Sequence, residues 1–289
     1  RGGARWASGV QHTRKRTAAR GRPADAGTCA ACCGADAPSS EVPSSAGVAS
    51  SSRVTCNARP CTARLHVRRL EDATQALFGT SFDGASALQQ AAHALASAGL
   101  RDASVRVTVF STQFDYRDPA RAVAPDVLIT LSPPFAAEKP ALRVKTYPFV
   151  RPLPQFKHVG TFPLFHYRRQ ALADGFDDAL FVDPAGPIVE GSIWNLGLWD
   201  GDTVTWPVGP ALRGTAERLL QAALTRAGVP QRSTPVLRHD LGRFRAAFAC
   251  NASGLQPVVG ADAVAWGIDT ALMRRLAEVF EAVSWEPLA

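Results

Sequence analysis

The chain has 289 residues, 46% hydrophobic and 20% charged, which is a globular composition and enough for one large or two medium domains. No stretch approaches the roughly 18 apolar residues of a membrane span. The net charge of +7 is no nucleic-acid footprint, because eight basic residues against three acids in 1–55 carry most of it and the remainder is nearly neutral.

Residues 1–61 read as a low-complexity basic tail, rich in Ala, Ser, Gly and Arg and unable to bury a core. A transit peptide has this Arg- and Ser-rich, acid-poor composition, which would place the protein in a plastid or mitochondrion. A disordered or mistranslated segment has it too, and a soluble cytoplasmic protein is then expected. The run "TRKRTAARGR" lacks the interleaved aromatics that stack on bases, so no nucleic-acid partner is expected. Cys29, Cys32, Cys56 and Cys61 could be read as a thiolate set, but the C-x4-C spacing of the second pair is loose for zinc, and no metal is expected.

Residues 62–150 read as a small α+β lobe. "TARLHVRRLEDATQALFG" (62–79) carries apolar residues on one helical face, and "GASALQQAAHALASAGL" (84–100) predicts a second helix stopped by Gly99. Strands are predicted over 103–111, 125–133 and 141–149. "RPLPQF" (151–156), with two prolines, reads as a linker. Residues 157–289 form the larger lobe: a helix over 161–175, strand and hairpin material over 178–183 and 187–207, and a helix over 214–228. Strands over 233–238 and 245–251 and a helix over 269–284 follow. Cys250, after "AAFA", is expected to be a buried strand residue.

Arginine is the default cation here, with 28 Arg against four Lys, so Lys157 stands out in "LPQFKHVG". Only a lysine amine can lose its proton at ordinary pH and attack a carbonyl carbon as a Schiff-base nucleophile. Pyridoxal phosphate chemistry also needs a carboxylate near the pyridine nitrogen, an anion site for the phosphate and a further clamp on it. Downstream of Lys157 lie Glu190 in "VEGS", the helix start "LRGTAERLL" with Gly214, Thr215 and Ala216, and the small-residue turn "CNASG".

The order of these pieces is similar to that of the class IV pyridoxal-phosphate aminotransferase superfamily. That superfamily includes branched-chain and D-amino-acid aminotransferases and aminodeoxychorismate lyase. The matching segments are Lys157, "VEGSIWN" (189–195), "ALRGTAERLL" (211–220), "CNASGLQPV" (250–258) and, upstream, "LHVRRLEDA" (65–73). The resemblance spans roughly 62–285 and implies the family's α+β two-lobe fold, with pyridoxal 5'-phosphate between a small N-terminal lobe and a larger C-terminal one. It implies that Lys157 carries the cofactor and shuttles the substrate proton, and that Glu190 pairs with the ring nitrogen. Arg69, the amides of Thr215 and Ala216 and the Asn251–Ala252–Ser253 turn would bind the phosphate. Asn195 would hold the active-site hairpin. Amino-acid and keto-acid substrates and a homodimer are implied as well.

Three departures accompany the likeness. The family's opening strand pair is not visible in 1–60, Phe162 stands where some members have a tyrosine, and Ala216 occupies the usual phosphate threonine's place with Thr215 one earlier. Transamination between an amino acid and a keto acid is the expected activity. A lyase of the aminodeoxychorismate type, or an inactive relative acting as a binding protein, are the alternatives.

Overall fold

The computed structural model describes residues 47–56, 63–100, 103–134 and 139–283. Strand β1 (Gly47–Cys56) precedes helices α1 (Ala63–Phe78) and α2 (Gly84–Ser97), followed by strands β2 (Ala103–Ser111) and β3 (Asp126–Ser132). β2 pairs antiparallel with both β1 and β3. Val105, Val107 and Val109 alternate inward on β2 and meet Leu70 and Phe78 of α1 and Ala87, Ala91 and Ala94 of α2 in one core. The inward residues of α1 recur every three or four positions, which is the stripe a one-sided helix needs. Asp83 caps α2 by accepting from the Ser86 amide at 2.9 Å, and Gly99 closes it at φ +64°.

The tail-like reading of 1–61 fails at Gly47–Cys56. This stretch has no alternating large apolar residues, and its extended state comes from the ladder it forms with β2, from Gly47 opposite Ser111 to Cys56 opposite Ala103. One strand ahead of α1 is therefore present. The remainder of the proposed tail, with Cys29, Cys32 and Cys61, lies outside the described residues.

The larger lobe contains β4 (Leu142–Pro148), α3 (Phe162–Ala173), β5 (Asp178–Val182), β6 (Ile188–Gly191), β7 (Asn195–Trp199) and β8 (Val204–Pro207). It continues with α4 (Thr215–Arg226), β9 (Gln231–Thr234), β10 (Ala246–Asn251), β11 (Gly254–Ala261), β12 (Val264–Ala265) and α5 (Thr270–Glu281). The strands form one mixed sheet in the order β6-β5-β4-β11-β10-β7-β8-β9, with β12 on β11. β4, expected in the small lobe, lies inside this sheet between β5 and β11, both parallel to it. The boundary between the sheets thus falls between β3 and β4, ahead of the 151–156 segment. β11 was not expected as a strand, and it holds Gly254 and Pro257. Its parallel ladder with β4 begins at Val258, so the missing Pro257 N–H costs that ladder nothing. The strand expected over 233–238 stops at Thr234, and Arg238–Arg243 form a 3-10 turn. Cys250 is a buried strand residue, as expected. Among the described residues no helix is long and apolar enough to cross a membrane, and no group of three metal-ligating side chains gathers.

Candidate active site

Lys157 sits in an irregular segment between β4 and α3. His158 holds this segment in shape, its Nε2 2.9 Å from the Pro152 carbonyl and its Nδ1 accepting from the Gly160 amide at 3.1 Å. Burial, then the guanidiniums of Arg69 and Arg151, lower the Lys157 amine to about 8; Glu190 opposes them and Arg106 adds to them. Near neutral pH such an amine keeps a usable unprotonated fraction, which is what a nucleophile requires.

Glu190 lies on β6 and is 3% exposed. Burial raises its carboxyl, against the charge of Arg151 and a hydrogen bond from the Leu212 amide. Arg151 Nε stands 3.3 Å from Glu190 Oε1, both residues buried, yet the pair is not aligned as a hydrogen bond, and Oε1 makes none. A buried carboxylate oxygen with an ion-pair partner and no donor is well suited to take a ring N–H. Gly191 is required where it stands: a Cβ there would overlap the Trp194 ring. Trp194 Nε1 donates to buried Asp178 at 3.1 Å, locking the loop behind Glu190. Arg151 was read as part of a linker. It is 5% exposed, because it supplies the counter-charge that buried Glu190 needs.

The start of α4 is held by side chains from two other elements, β7 and α1. Asn195 donates to the Leu212 carbonyl at 2.8 Å and accepts from the Gly214 amide at 3.1 Å. A Cβ at 214 would overlap Asn195 Oδ1, so only glycine fits. No side chain caps α4, which leaves the first-turn amides of Thr215 and Ala216 to an external acceptor. From α1, Arg69 donates to the Arg213 carbonyl at 3.3 Å, and one turn earlier His66 Nε2 lies 3.4 Å from Thr215 Oγ1. Burial, then Arg218 and Arg151, lower the Arg69 guanidinium to about 10, still a cation at neutral pH. Burial, then Arg69 and Lys157, lower the His66 ring to about 3, so it is neutral, and its Nδ1 is buried without a partner. Ala216 is buried in the core cluster that holds Leu220 and Leu224, so its amide is what it can offer a ligand.

The Asn251–Ser253 turn ends β10. Asn251 Nδ2 donates to the Ile193 carbonyl at 3.3 Å, tying the turn to the loop that follows Glu190. The Ser253 amide and hydroxyl both donate to Asn251 Oδ1, at 2.9 and 2.7 Å, so they reach a ligand only by exchanging those bonds. Phe162 is 80% exposed at the first turn of α3 and stacks on His166.

The structure thus gathers Lys157, Glu190 and Arg69, with Arg69 at the head of α4 beside Thr215. The sequence reading missed Arg151, Arg106 and His66. Arg106 was legible as the outward residue of the alternating β2, and His66 as the residue three before Arg69 on one helix face. Nothing local marks Arg151. The donor set fits pyridoxal phosphate: a lysine with a lowered amine, a buried carboxylate with an open oxygen, and an uncapped helix start next to a cation.

The sequence profile of the family described as Amino-transferase class IV, whose members depend on pyridoxal phosphate, matches residues 48–260. No curated protein matches the chain. Similar solved structures include a Legionella pneumophila protein provisionally described as a 4-amino-4-deoxychorismate lyase, with a TM-score of 0.74 and 16% identity over 82% of this chain and 90% of that one. The branched-chain amino acid aminotransferase of Escherichia coli has a TM-score of 0.71 and 18% identity over 83% and 85%. A hypothetical aminotransferase of Mycobacterium tuberculosis in its PLP-bound form has a TM-score of 0.69 and 17% identity over 82% and 88%. At these identities the structures establish the two-lobe fold, and with the profile match over most of its length the chain belongs to the class IV aminotransferases.

Proposed function

We propose that this chain binds pyridoxal 5'-phosphate through Lys157 and transfers an amino group between an amino acid and a 2-keto acid at that site. The observation that carries the reading is the convergence of Arg69, Arg151 and Glu190 on Lys157, whose amine is lowered to about 8. When bound, the cofactor supplies an electron sink for charge developing at the substrate α-carbon. Lys157 Nζ is the nucleophile toward the carbonyl carbon and moves the proton at the substrate α-carbon. Glu190 Oε1 holds the proton of the ring nitrogen, and Arg151 keeps Glu190 ionised. Arg69 and the Thr215 and Ala216 amides bind the phosphate, with Asn251, Ala252 and Ser253 as the second backbone contact. His66 orients the Thr215 hydroxyl. Leu153, Val159, Phe162 and Phe165, exposed around Lys157 and α3, support a homodimer that covers them. The Legionella likeness supports a lyase as the second reading, which release of pyruvate from aminodeoxychorismate would reveal.

The experiment is an absorbance spectrum of the purified chain with pyridoxal phosphate, before and after borohydride, beside Lys157→Ala. A visible band that borohydride fixes to the Lys157 peptide, absent in the variant, is the expected result. No band and no fixed mass in the wild type would overturn the reading.

A further inference from the structure

Lys157 lies between two tight turns on the path from β4 to α3. In the first, Leu153 takes φ +50°, in the left-handed region that a leucine avoids, and the Phe156 amide donates to the Leu153 carbonyl at 3.0 Å. In the second, the Thr161 amide and hydroxyl both donate to the Val159 carbonyl, at 2.7 and 3.2 Å. Each turn is fixed by its own short-range bonds, which do not set where one stands relative to the other. The His158 ring joins them. From one residue past Lys157 it reaches back to the Pro152 carbonyl at 2.9 Å and forward to the Gly160 amide at 3.1 Å.

These two bonds dictate the protonation of the ring. An amide N–H only donates, so Nδ1 must offer a lone pair, and a carbonyl only accepts, so Nε2 must carry the hydrogen. His158 is therefore neutral and in one tautomer. Gly160 is matched to this ring: a Cβ at 160 would stand 3.0 Å from Nδ1 and 3.2 Å from Cε1, so a larger residue would push the ring off the amide. The Lys157 amine is lowered chiefly by burial, so its reactivity depends on backbone that keeps it out of water near Arg69, Arg151 and Glu190.

We infer that His158 is the positioning residue of the Lys157 nucleophile: its neutral ring, bonded to Pro152 through Nε2 and to Gly160 through Nδ1, braces the two turns that hold the amine in its buried setting. The inference rests on the proposed reading of the Lys157 site for the use that amine serves.

The test compares the full-length wild type with His158→Ala, His158→Asn, His158→Gln and Gly160→Ala, all without cofactor. Competitive acetylation with acetic anhydride across a pH series, read by mass spectrometry on each lysine peptide, gives the titration of each amine. His158→Ala should raise the Lys157 amine by about one pH unit or more, a loss of about tenfold in its reactivity at neutral pH, while Lys139 and Lys145 hold. His158→Asn keeps an acceptor for Gly160 and His158→Gln a donor for Pro152, so each should recover part of that reactivity. Gly160→Ala, which leaves the histidine in place, should lose part of it. An unmoved Lys157 in His158→Ala overturns the assignment, as does a wild-type Lys157 that titrates as an ordinary lysine. A shift shared by Lys139 and Lys145 also overturns it, because it reports a loosened fold. Should His158→Ala fail to fold, the other three variants decide: Lys157 moving alone in them supports the brace, and Lys157 staying put sinks it. Borohydride capture of pyridoxal phosphate by the wild type separates the two ideas. No capture with a Lys157 amine that depends on His158 sinks the cofactor reading alone, and capture with an independent amine sinks the brace alone.

Discussion

Two buried glutamates mark two regions that use the same chemistry for different ends. Glu190 on β6 and Glu217 on α4 are 3% and 1% exposed, each is ion-paired with an arginine, and burial raises both carboxyls. The partner of Glu217 is Arg213, four residues earlier, 2.7 Å away and 30% exposed. That pair sits at the entry to α4, where the Gln221 side-chain amide also donates to Glu217 Oε1 at 3.4 Å. The partner of Glu190 is Arg151 from a distant segment, and Arg151 also bears on Lys157. A buried ion pair therefore shows its role by what else shares its cation.

The largest effect separating the two regions should be on turnover. Glu190→Gln should lower kcat by about 10²- to 10³-fold with the fold intact, as loss of one electrostatic contact to a developing charge does. Glu217→Gln should leave kcat unchanged. Steady-state kinetics at saturating pyridoxal phosphate checks both, and equal losses would erase the distinction.

Next in size is stability. Arg151→Met strands a buried carboxylate and should cost about 3–5 kcal/mol in urea unfolding. Arg213→Met should cost about 1–2 kcal/mol, because that arginine is partly solvated and Glu217 keeps the Gln221 side-chain donor. A reversed order would mean that the Glu190 pair is the less buried in solution.

The smallest effect lies in the pH profile. His66 has a folded value near 3, below its ordinary 6.5. Between these values the unfolded chain binds the proton and the folded chain does not, so stability falls as pH drops from 6.5 toward 3. The raised carboxyls act oppositely, since the folded chain then holds protons the unfolded one releases, and they stabilise as pH falls toward their unfolded value of 4.5. His66→Gln should remove a slope of up to about 1.4 kcal/mol per pH unit. A profile unchanged by that substitution would show that His66 titrates normally.

What was legible in the sequence follows the range of the interactions. α1, α2 and β2 were visible because each carries its own period and its own stop, such as Gly99. Lys157, Glu190 and the α4 start were visible because short motifs surround them. β1 was hidden because its pairing partner follows two helices later. Arg151 was hidden because a linker-like sequence says nothing about a carboxylate on another strand. The sheet boundary was misplaced because β4 joins strands that come later in the chain.

The position of β10 and β11 has a consequence for the order in which the chain becomes an enzyme. They form an antiparallel hairpin that joins the β4–β6 half of the sheet to the β7–β9 half. During synthesis the ribosome delivers Lys157, Glu190 and the start of α4 well before this hairpin. Until residues 246–261 emerge, those two halves have no strand between them to fix their register. The hairpin acts as a keystone set last: a nascent chain cut short of it would hold nearly every reactive group and no assembled site, so premature release would yield inert protein rather than a half-working catalyst.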